Sequence, residues 1–462
     1  MMGGRAVGRS SGLSTWTSEA VAQALGVPAP AELTFSGIST DTRHPVPGTL
    51  FVALKGERFD AHDFLAQAKA AGAAAAVVRR GTPPVAGLPT FEVADTLAAL
   101  GLLARARRRL LPANAPVVAI TGSSGKTSAK EMIRSALAAR WGERVHATTG
   151  NLNNLVGVPL TILAAPEDTE ALVVEAGASV PGEIAALRDI IEPTIAVVTN
   201  AGFAHLQGFG TVERLLQEKA SLLDGAPVAV VGNAPGLVAE ARRRARKVVI
   251  VARDEFGEVH PEKVDVDGAG QPILHWMGAS VTLPVLGLHH VDNAMIALAV
   301  AREAGVEPKA ALAGLAGVKI PAGRGSLVSR GNLTIIDDSY NANPDSVLAA
   351  LETALTYAAR RRRPLAVVLG SMLELGAESA RLHAFVADEL MSFLPAPEIV
   401  AAVGEFVPAF EKHRGPLGDR LITAPDAESL GPLLKTALRG NEIVLLKASR
   451  GVALERVLRH LT

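Results

Sequence analysis

Short apolar runs, rich in valine and isoleucine, recur along the chain, and many stop abruptly in a polar loop of small residues. In the middle of the chain they cover 117–120, 171–174, 194–198, 228–231 and 248–251, and the stretches 129–139 and 212–223 between them read as helices. Strand and helix in alternation predict a parallel sheet with helices on both faces. The last third repeats the design, with strands expected over 333–336, 365–369, 399–403 and 443–446. The first part reads as helices over 13–26 and 96–111, strands over 33–40 and 73–78, a turn–strand–turn at 47–56 and an alanine-rich helix ending at 71. Residues 260–285 read as a β-rich insertion with Gly/Asp turns, before a helix over 294–304. Proline and glycine cluster at 112–116 and 319–325 and mark boundaries. The expected fold class is therefore α/β in three domains: a flexible leader at 1–14, then 15–112, 113–321 and 322–462.

The loop after the first central strand carries the chemistry. Thr121-Gly122-Ser123-Ser124-Gly125-Lys126-Thr127-Ser128 joins a strand to a helix, an arrangement that aims backbone N–H groups and a helix dipole at a phosphate. Gly122 and Gly125 let the backbone wrap closely, Lys126 reaches the terminal phosphates and the Thr127 hydroxyl meets Mg²⁺. Ile120 stands where the full phosphate-loop pattern has its first glycine. Two more runs end in Glu175-Ala176-Gly177 and in Thr199-Asn200, continuing to His205. Ligands of an open parallel sheet sit beyond the carboxyl ends of its strands, so Thr127, Glu175 and His205 are expected to share a crevice and to hold Mg²⁺. The plain alternatives are that Glu175 caps the helix after Pro181-Gly182-Glu183 and that His205 is a half-buried, satisfied histidine. Asn151, Asn153 and Asn154, in 148–159, form a polar turn or a substrate-binding loop. Lys219 reads by default as a surface lysine and Arg361-Arg362-Arg363 as a solvated face.

Composition narrows the classes. The 462 residues carry 46 basic and 46 acidic side chains and few aromatics, which argues against a nucleic-acid partner. With no cysteine, disulfides, zinc–thiolate sites and thiol nucleophiles are excluded. No apolar run approaches the roughly 20 residues of a membrane span, and 1–14 lacks the apolar core of a signal peptide, so a cytoplasmic location is expected.

Several motifs together resemble the Mur ligases of bacterial cell-wall synthesis. They are 121–128, Gly-Asn-Leu-Asn-Asn-Leu-Val-Gly-Val-Pro-Leu-Thr (150–161), Glu-Ala-Gly-Ala-Ser (175–179), Asn-Ala-Gly-Phe-Ala-His-Leu (200–206), Asp-Asp-Ser-Tyr-Asn-Ala-Asn-Pro (337–344) and Met-Leu-Glu-Leu-Gly (372–376). The second and fifth favour the branch that adds D-alanyl-D-alanine to UDP-N-acetylmuramoyl-tripeptide, through an acyl phosphate made with ATP. The resemblance implies a smaller N-terminal α/β domain for the UDP-sugar, a central parallel-sheet P-loop ATPase domain and a C-terminal Rossmann-like domain. It assigns Gly122, Ser123, Ser124, Gly125, Lys126, Thr127, Ser128, Asn293, Arg324 and Asp338 to the nucleotide. It gives Mg²⁺ to Thr127, Glu175, His205 and a carbamylated Lys219, and catalysis to Lys126, Glu175, His205, Lys219 and Arg324. Ser39, Thr42, Arg43, Lys55 and His62 match the UDP-sugar region. Asn341, Asn343, Leu375, Lys447 and Ser449 match the region where the dipeptide and the acyl end meet, and Asn151, Asn153 and Asn154 count as substrate-binding. Ser371 and Ala448 depart from an aspartate and a glycine common in the family. A monomer is expected. The alternatives are a sibling amide ligase and a nucleotide-driven switch without ligation.

Overall fold

A computed structural model of the chain describes residues 16–44, 47–203, 206–393 and 396–461. The leader and His205 lie outside the described residues, as does the start of the first expected helix, which is seen as Ser18–Leu25. Two compact units divide the chain, one of 1–119, 141–177 and 185–194 and the other of 120–140, 178–184 and 195–462.

In the first unit, four short parallel strands lie in the order Ile38–Ser39, Leu50–Val52, Ala75–Arg79, Thr90–Val93. Phe51, Ala53, Leu65, Ala68, Ala76, Val78 and Leu88 form the core on one face. The single strand expected over 33–40 is two. Thr34–Phe35 pairs antiparallel with Trp16–Thr17, and Ile38–Ser39 joins the four-stranded sheet. The chain changes partners at Ser36 and Gly37, whose backbones bond to Gly48 and Leu50. Asp95 opens the helix Thr96–Arg108 by accepting the Leu97 and Ala98 amides. Its basic end is only partly solvated. Arg107 donates to the Ala165 and Pro166 carbonyls and Arg108 to those of Ile191 and Glu192. Each guanidinium thus sits at the carbonyl end of another helix, Gly157–Leu163 or Glu183–Ile191. Arg105 and Arg109 grip the Glu192 carboxylate, and hydrogen bonding to Arg109 leads the effects that hold Glu192 down at about 2.

The central sheet has six strands in the order Lys247–Val251, Val228–Gly232, Ile195–Val198, Val117–Thr121, Ala171–Glu175, Val145–Ala147. Val117–Thr121 and Ala171–Glu175 are buried throughout, as a strand covered on both faces requires. The expected insertion is a three-stranded antiparallel sheet, Lys263–Val266, Pro272–Trp276 and Ala279–Thr282. The helix expected over 212–223 is Val212–Ala220 followed by a tighter turn, Ser221–Leu223, and that over 294–304 begins earlier, at His289.

The C-terminal sheet runs Ser326–Arg330, Leu333–Asp338, Ile443–Lys447, Leu365–Leu369, Ile399–Val403, Leu421–Ala424. Its first pair is antiparallel and the others parallel. Both edge strands escaped the sequence reading: Ser326–Arg330 mixes polar and apolar residues, and Leu421–Ala424 is only four residues long. Helix Pro344–Arg361 starts with a reciprocal cap between Asn343 and Ser346. The supposed solvated face at 361–363 is only partly so. Arg363 donates to the Asn332, Asn441 and Glu442 carbonyls and to the Thr334 hydroxyl, tying the starts of two neighbouring strands. Among the described residues no helix is long and apolar enough to cross a membrane.

Candidate nucleotide site

The phosphate loop is shaped by what crowds it. A Cβ on Gly122 would lie 1.9 Å from the Thr199 hydroxyl oxygen, and one on Gly125, where φ is +77°, 2.7 Å from Asn293 Oδ1. Only glycine fits at either position. The loop is stitched to the segment after Ile195–Val198. Ser124 N–H donates to Asn200 Oδ1 at 3.0 Å, Asn200 Nδ2 returns bonds to the Ser124 carbonyl and hydroxyl, and the Thr199 hydroxyl donates to the Ser124 carbonyl at 2.7 Å. Ser123 bonds through its amide to the Asn200 carbonyl and through its hydroxyl to that of Gly202. Thr199, read from sequence only as a strand end, and Asn200, the first residue of the motif 200–206, are the scaffold of the loop. Lys126 begins the helix Lys126–Trp141 and donates to the Gly122 carbonyl at 2.6 Å, curling over the loop it belongs to. Thr127 and Ser128 are buried beneath.

Asn293, 5% exposed, is brought against this loop beside Gly125. Its neighbour His290 was not singled out in the sequence. The His289 and His290 ring centres lie 4.2 Å apart with the planes tilted by 40°, His290 faces the Asn293 amide, and burial holds His290 down at about 4.

Lys219 overturns its default reading. It is 1% exposed. Burial, reinforced by the charge of Lys126, lowers it well below an ordinary amine, against the pull of Glu218. The Glu218 carboxylate accepts the Gly182 and Ile184 amides at 2.8 Å each, so the capping role considered for Glu175 falls to Glu218. In the first unit, Glu175 ends its strand 2% exposed and accepts a bond from Asn153 Nδ2 at 2.9 Å. Asn154 starts the helix Gly157–Leu163 by accepting the Val156 and Gly157 amides, and Asn151 is exposed.

At the carboxyl end of the C-terminal sheet, Lys447 pairs with Asp338 at 2.6 Å and donates to the Asn341 carbonyl at 2.8 Å. Burial pushes the Asp338 carboxyl up, while Lys447 and then Arg324 pull it down. The Arg324 guanidinium lies 4.1 Å above the Tyr340 ring centre. Other expected contact residues serve the fold visibly: Asn343 caps a helix, Leu375 packs in the core, and Ser449 bridges the Leu373 amide and Ala342 carbonyl. The Ser371 hydroxyl accepts the Glu405 amide at 2.9 Å.

The residues expected near a UDP-sugar form a separate group. Asp41 binds Arg43 through both carboxylate oxygens, and Ser39 Oγ bonds to the Asp41 backbone. His62 accepts the Arg79 amide on Nε2 at 3.0 Å and bonds Asp60 through Nδ1 at 2.5 Å, so both ring nitrogens are engaged. Thr42 is half-buried and Lys55 exposed.

Comparison with known proteins matches this architecture segment by segment. The Mur ligase family catalytic domain matches 34–108, the Mur ligase middle domain 120–301 and the Mur ligase glutamate ligase domain 323–450. The chain belongs to the Mur ligase family. Within it, the chain is 37% identical over 444 residues to the UDP-N-acetylmuramoyl-tripeptide–D-alanyl-D-alanine ligase of Escherichia coli, covering 93% of this chain and 94% of that protein. Its counterpart in Bacillus subtilis is 34% identical over 456 residues, covering 96% and 97%. Among solved structures, MurF of Acinetobacter baumannii superposes with a TM-score of 0.85 at 31% identity, covering 97% of this chain and 99% of that one. MurF of Thermotoga maritima in complex with ADP gives 0.80 at 30% identity, covering 92% and 96%.

Proposed function

We propose that the protein is an ATP-dependent amide ligase that joins D-alanyl-D-alanine to UDP-N-acetylmuramoyl-tripeptide. The observation that carries the reading is the phosphate loop, held by Thr199 and Asn200 with Asn293 packed beside Gly125, in a chain alike over nearly its full length to relatives bearing that name. In this reading the substrate carboxylate takes the γ-phosphoryl group of ATP, releasing ADP. The dipeptide amine attacks the acyl phosphate, and an amide forms as phosphate leaves. The chain contributes placement and charge. Phosphate-loop amides and Lys126 hold the phosphates, Asn293, Arg324 and Asp338 contact the nucleotide, and the cluster around Lys447 receives the acyl and dipeptide ends. Residues 15–112 hold the UDP-sugar, 113–321 the ATP, and 322–462 close over both. The enzyme works as a cytoplasmic monomer without nucleic acid.

The donors suit Mg²⁺, a hard cation that prefers oxygen. Thr127 supplies a hydroxyl and Glu175 a carboxylate, both buried at the ends of their elements, and His205 completes the expected set. Bound there, Mg²⁺ would neutralise charge on the transferring phosphoryl group. The Lys219 amine is unsuited as it stands. Its neutral form adds CO₂, forming an N–C bond and releasing a proton, and the resulting carbamate presents oxygens.

Release of ADP by the purified protein, assayed in bicarbonate with UDP-N-acetylmuramoyl-tripeptide, tests this. We expect turnover with D-alanyl-D-alanine and little with meso-diaminopimelate, L-lysine or glutamate. Slow ATP hydrolysis indifferent to acceptor and amine alike would instead support a nucleotide switch.

A further inference from the structure

The segment after Ile195–Val198 faces two ways. Its first residues, Thr199, Asn200 and Gly202, hold the phosphate loop. The next ones are held by the C-terminal sheet and its helices. The Asp345 carboxylate accepts the Phe203 amide, and Asp345 Oδ2 would stand 2.0 Å from a Cβ on Gly202. The Phe203 side chain packs against the core beneath that sheet. Farther along, the Gln207 amide donates to the Glu374 carbonyl at 3.0 Å, and a Cβ on Gly376 would be 3.0 Å from Gln207 Cα. Only a residue without a side chain at 202 admits the carboxylate.

We propose that Asp345 is a positioning residue that fixes the phosphate loop from the C-terminal domain, acting through Gly202 and Phe203. Asp345 is the second residue of the helix Pro344–Arg361. An acidic residue there ordinarily does no more than complement the helix dipole. Here its oxygen is also the partner of the Phe203 amide, three residues past Asn200, which orients Ser124. Docking of the C-terminal domain and the shape of the phosphate loop are then coupled through one short stretch of chain.

The two roles separate by substitution. A helix-dipole role needs the charge, whereas the positioning role needs an acceptor oxygen, which Asn retains and Ala lacks. In the ligase assay, Asp345→Ala is expected to raise the KM for ATP and lower kcat, together by about tenfold in kcat/KM, with the KM for the UDP-linked substrate unchanged. Asp345→Asn should stay within about threefold of the parent. This arm rests on the ligase reading; a second does not. The chain has no cysteine, so Gln207→Cys with Glu374→Cys places one oxidisable pair where the two backbones meet. The pair should crosslink under mild oxidation, and adding Asp345→Ala should lower the trapped fraction severalfold. Gly202→Ala, which puts a methyl where the carboxylate lies, should lower it likewise and serves if Asp345→Ala fails to fold. Failure of the parent pair to crosslink, equal trapping with and without Asp345→Ala or Gly202→Ala, or an Asn variant as impaired as the Ala variant would overturn the proposal.

Discussion

Lys219 and Lys447 are both almost wholly out of water, at 1% and 3% exposure, yet their surroundings are opposite. Lys447 lies 2.6 Å from the Asp338 carboxylate and bonds the Asn341 carbonyl, so its burial is compensated by an ion pair at the end of the C-terminal sheet. Lys219 has burial and the Lys126 cation against its charge, with Glu218 opposing them but itself occupied with two backbone amides. One site stores a charge and the other suppresses one. Burial of a lysine therefore says little about its chemistry until the sign of its neighbours is known.

Removing either cation should separate the two sites. Lys126→Ala is expected to reduce turnover by about 10³-fold, since phosphate neutralisation rests on it, while thermal unfolding stays near that of the parent. It also relieves Lys219 of a like charge, so a ¹⁵N-detected titration should find the Lys219 amine moved upward. Full activity in this variant would remove the phosphate-loop assignment. Lys447→Met strands Asp338, and should cost about 3 kcal/mol of stability in denaturant unfolding. Adding Asp338→Asn should recover most of the loss; if it does not, the pair is not what stabilises that end.

A smaller effect concerns the histidine beside the nucleotide loop. His290 titrates near 4 when folded because of burial, whereas a free histidine titrates near about 6.5. Between those values the unfolded chain takes up a proton that the folded chain refuses. Stability is thus greatest above about 6.5 and falls as pH drops toward 4, with a slope for this group approaching about 1.4 kcal/mol per pH unit. His290→Asn should remove about one proton from the pH dependence of unfolding. An unchanged slope between pH 7 and 5 would place the burial penalty elsewhere.

The phosphate loop was legible because its requirement is a backbone one: small residues between a buried strand and a helix start leave a distinct mark. The alternation of strands and helices was legible for the same reason. Lys219 was not, because its helix reads Gln217-Glu218-Lys219, and polar letters alone do not show which of them turns inward. Glu218 and Arg363 were hidden similarly, as charged residues whose partners are backbone groups distant in sequence. The strand over 33–40 was misjudged because its two halves alternate alike but pair in different sheets. Asn200 opens the motif 200–206 and Thr199 precedes it, but their bonds to Ser124 are tertiary.

The arginines at the end of Thr96–Arg108 have a further consequence. Four arginines at that helix end, Arg105, Arg107, Arg108 and Arg109, reach two other helix ends within the same compact unit. The N-terminal lobe is thereby riveted in place by contacts on both sides of the Pro112–Pro116 link. A nick in that link should leave the fragments travelling together through a sizing column, held by helix ends and not by the peptide bond between them.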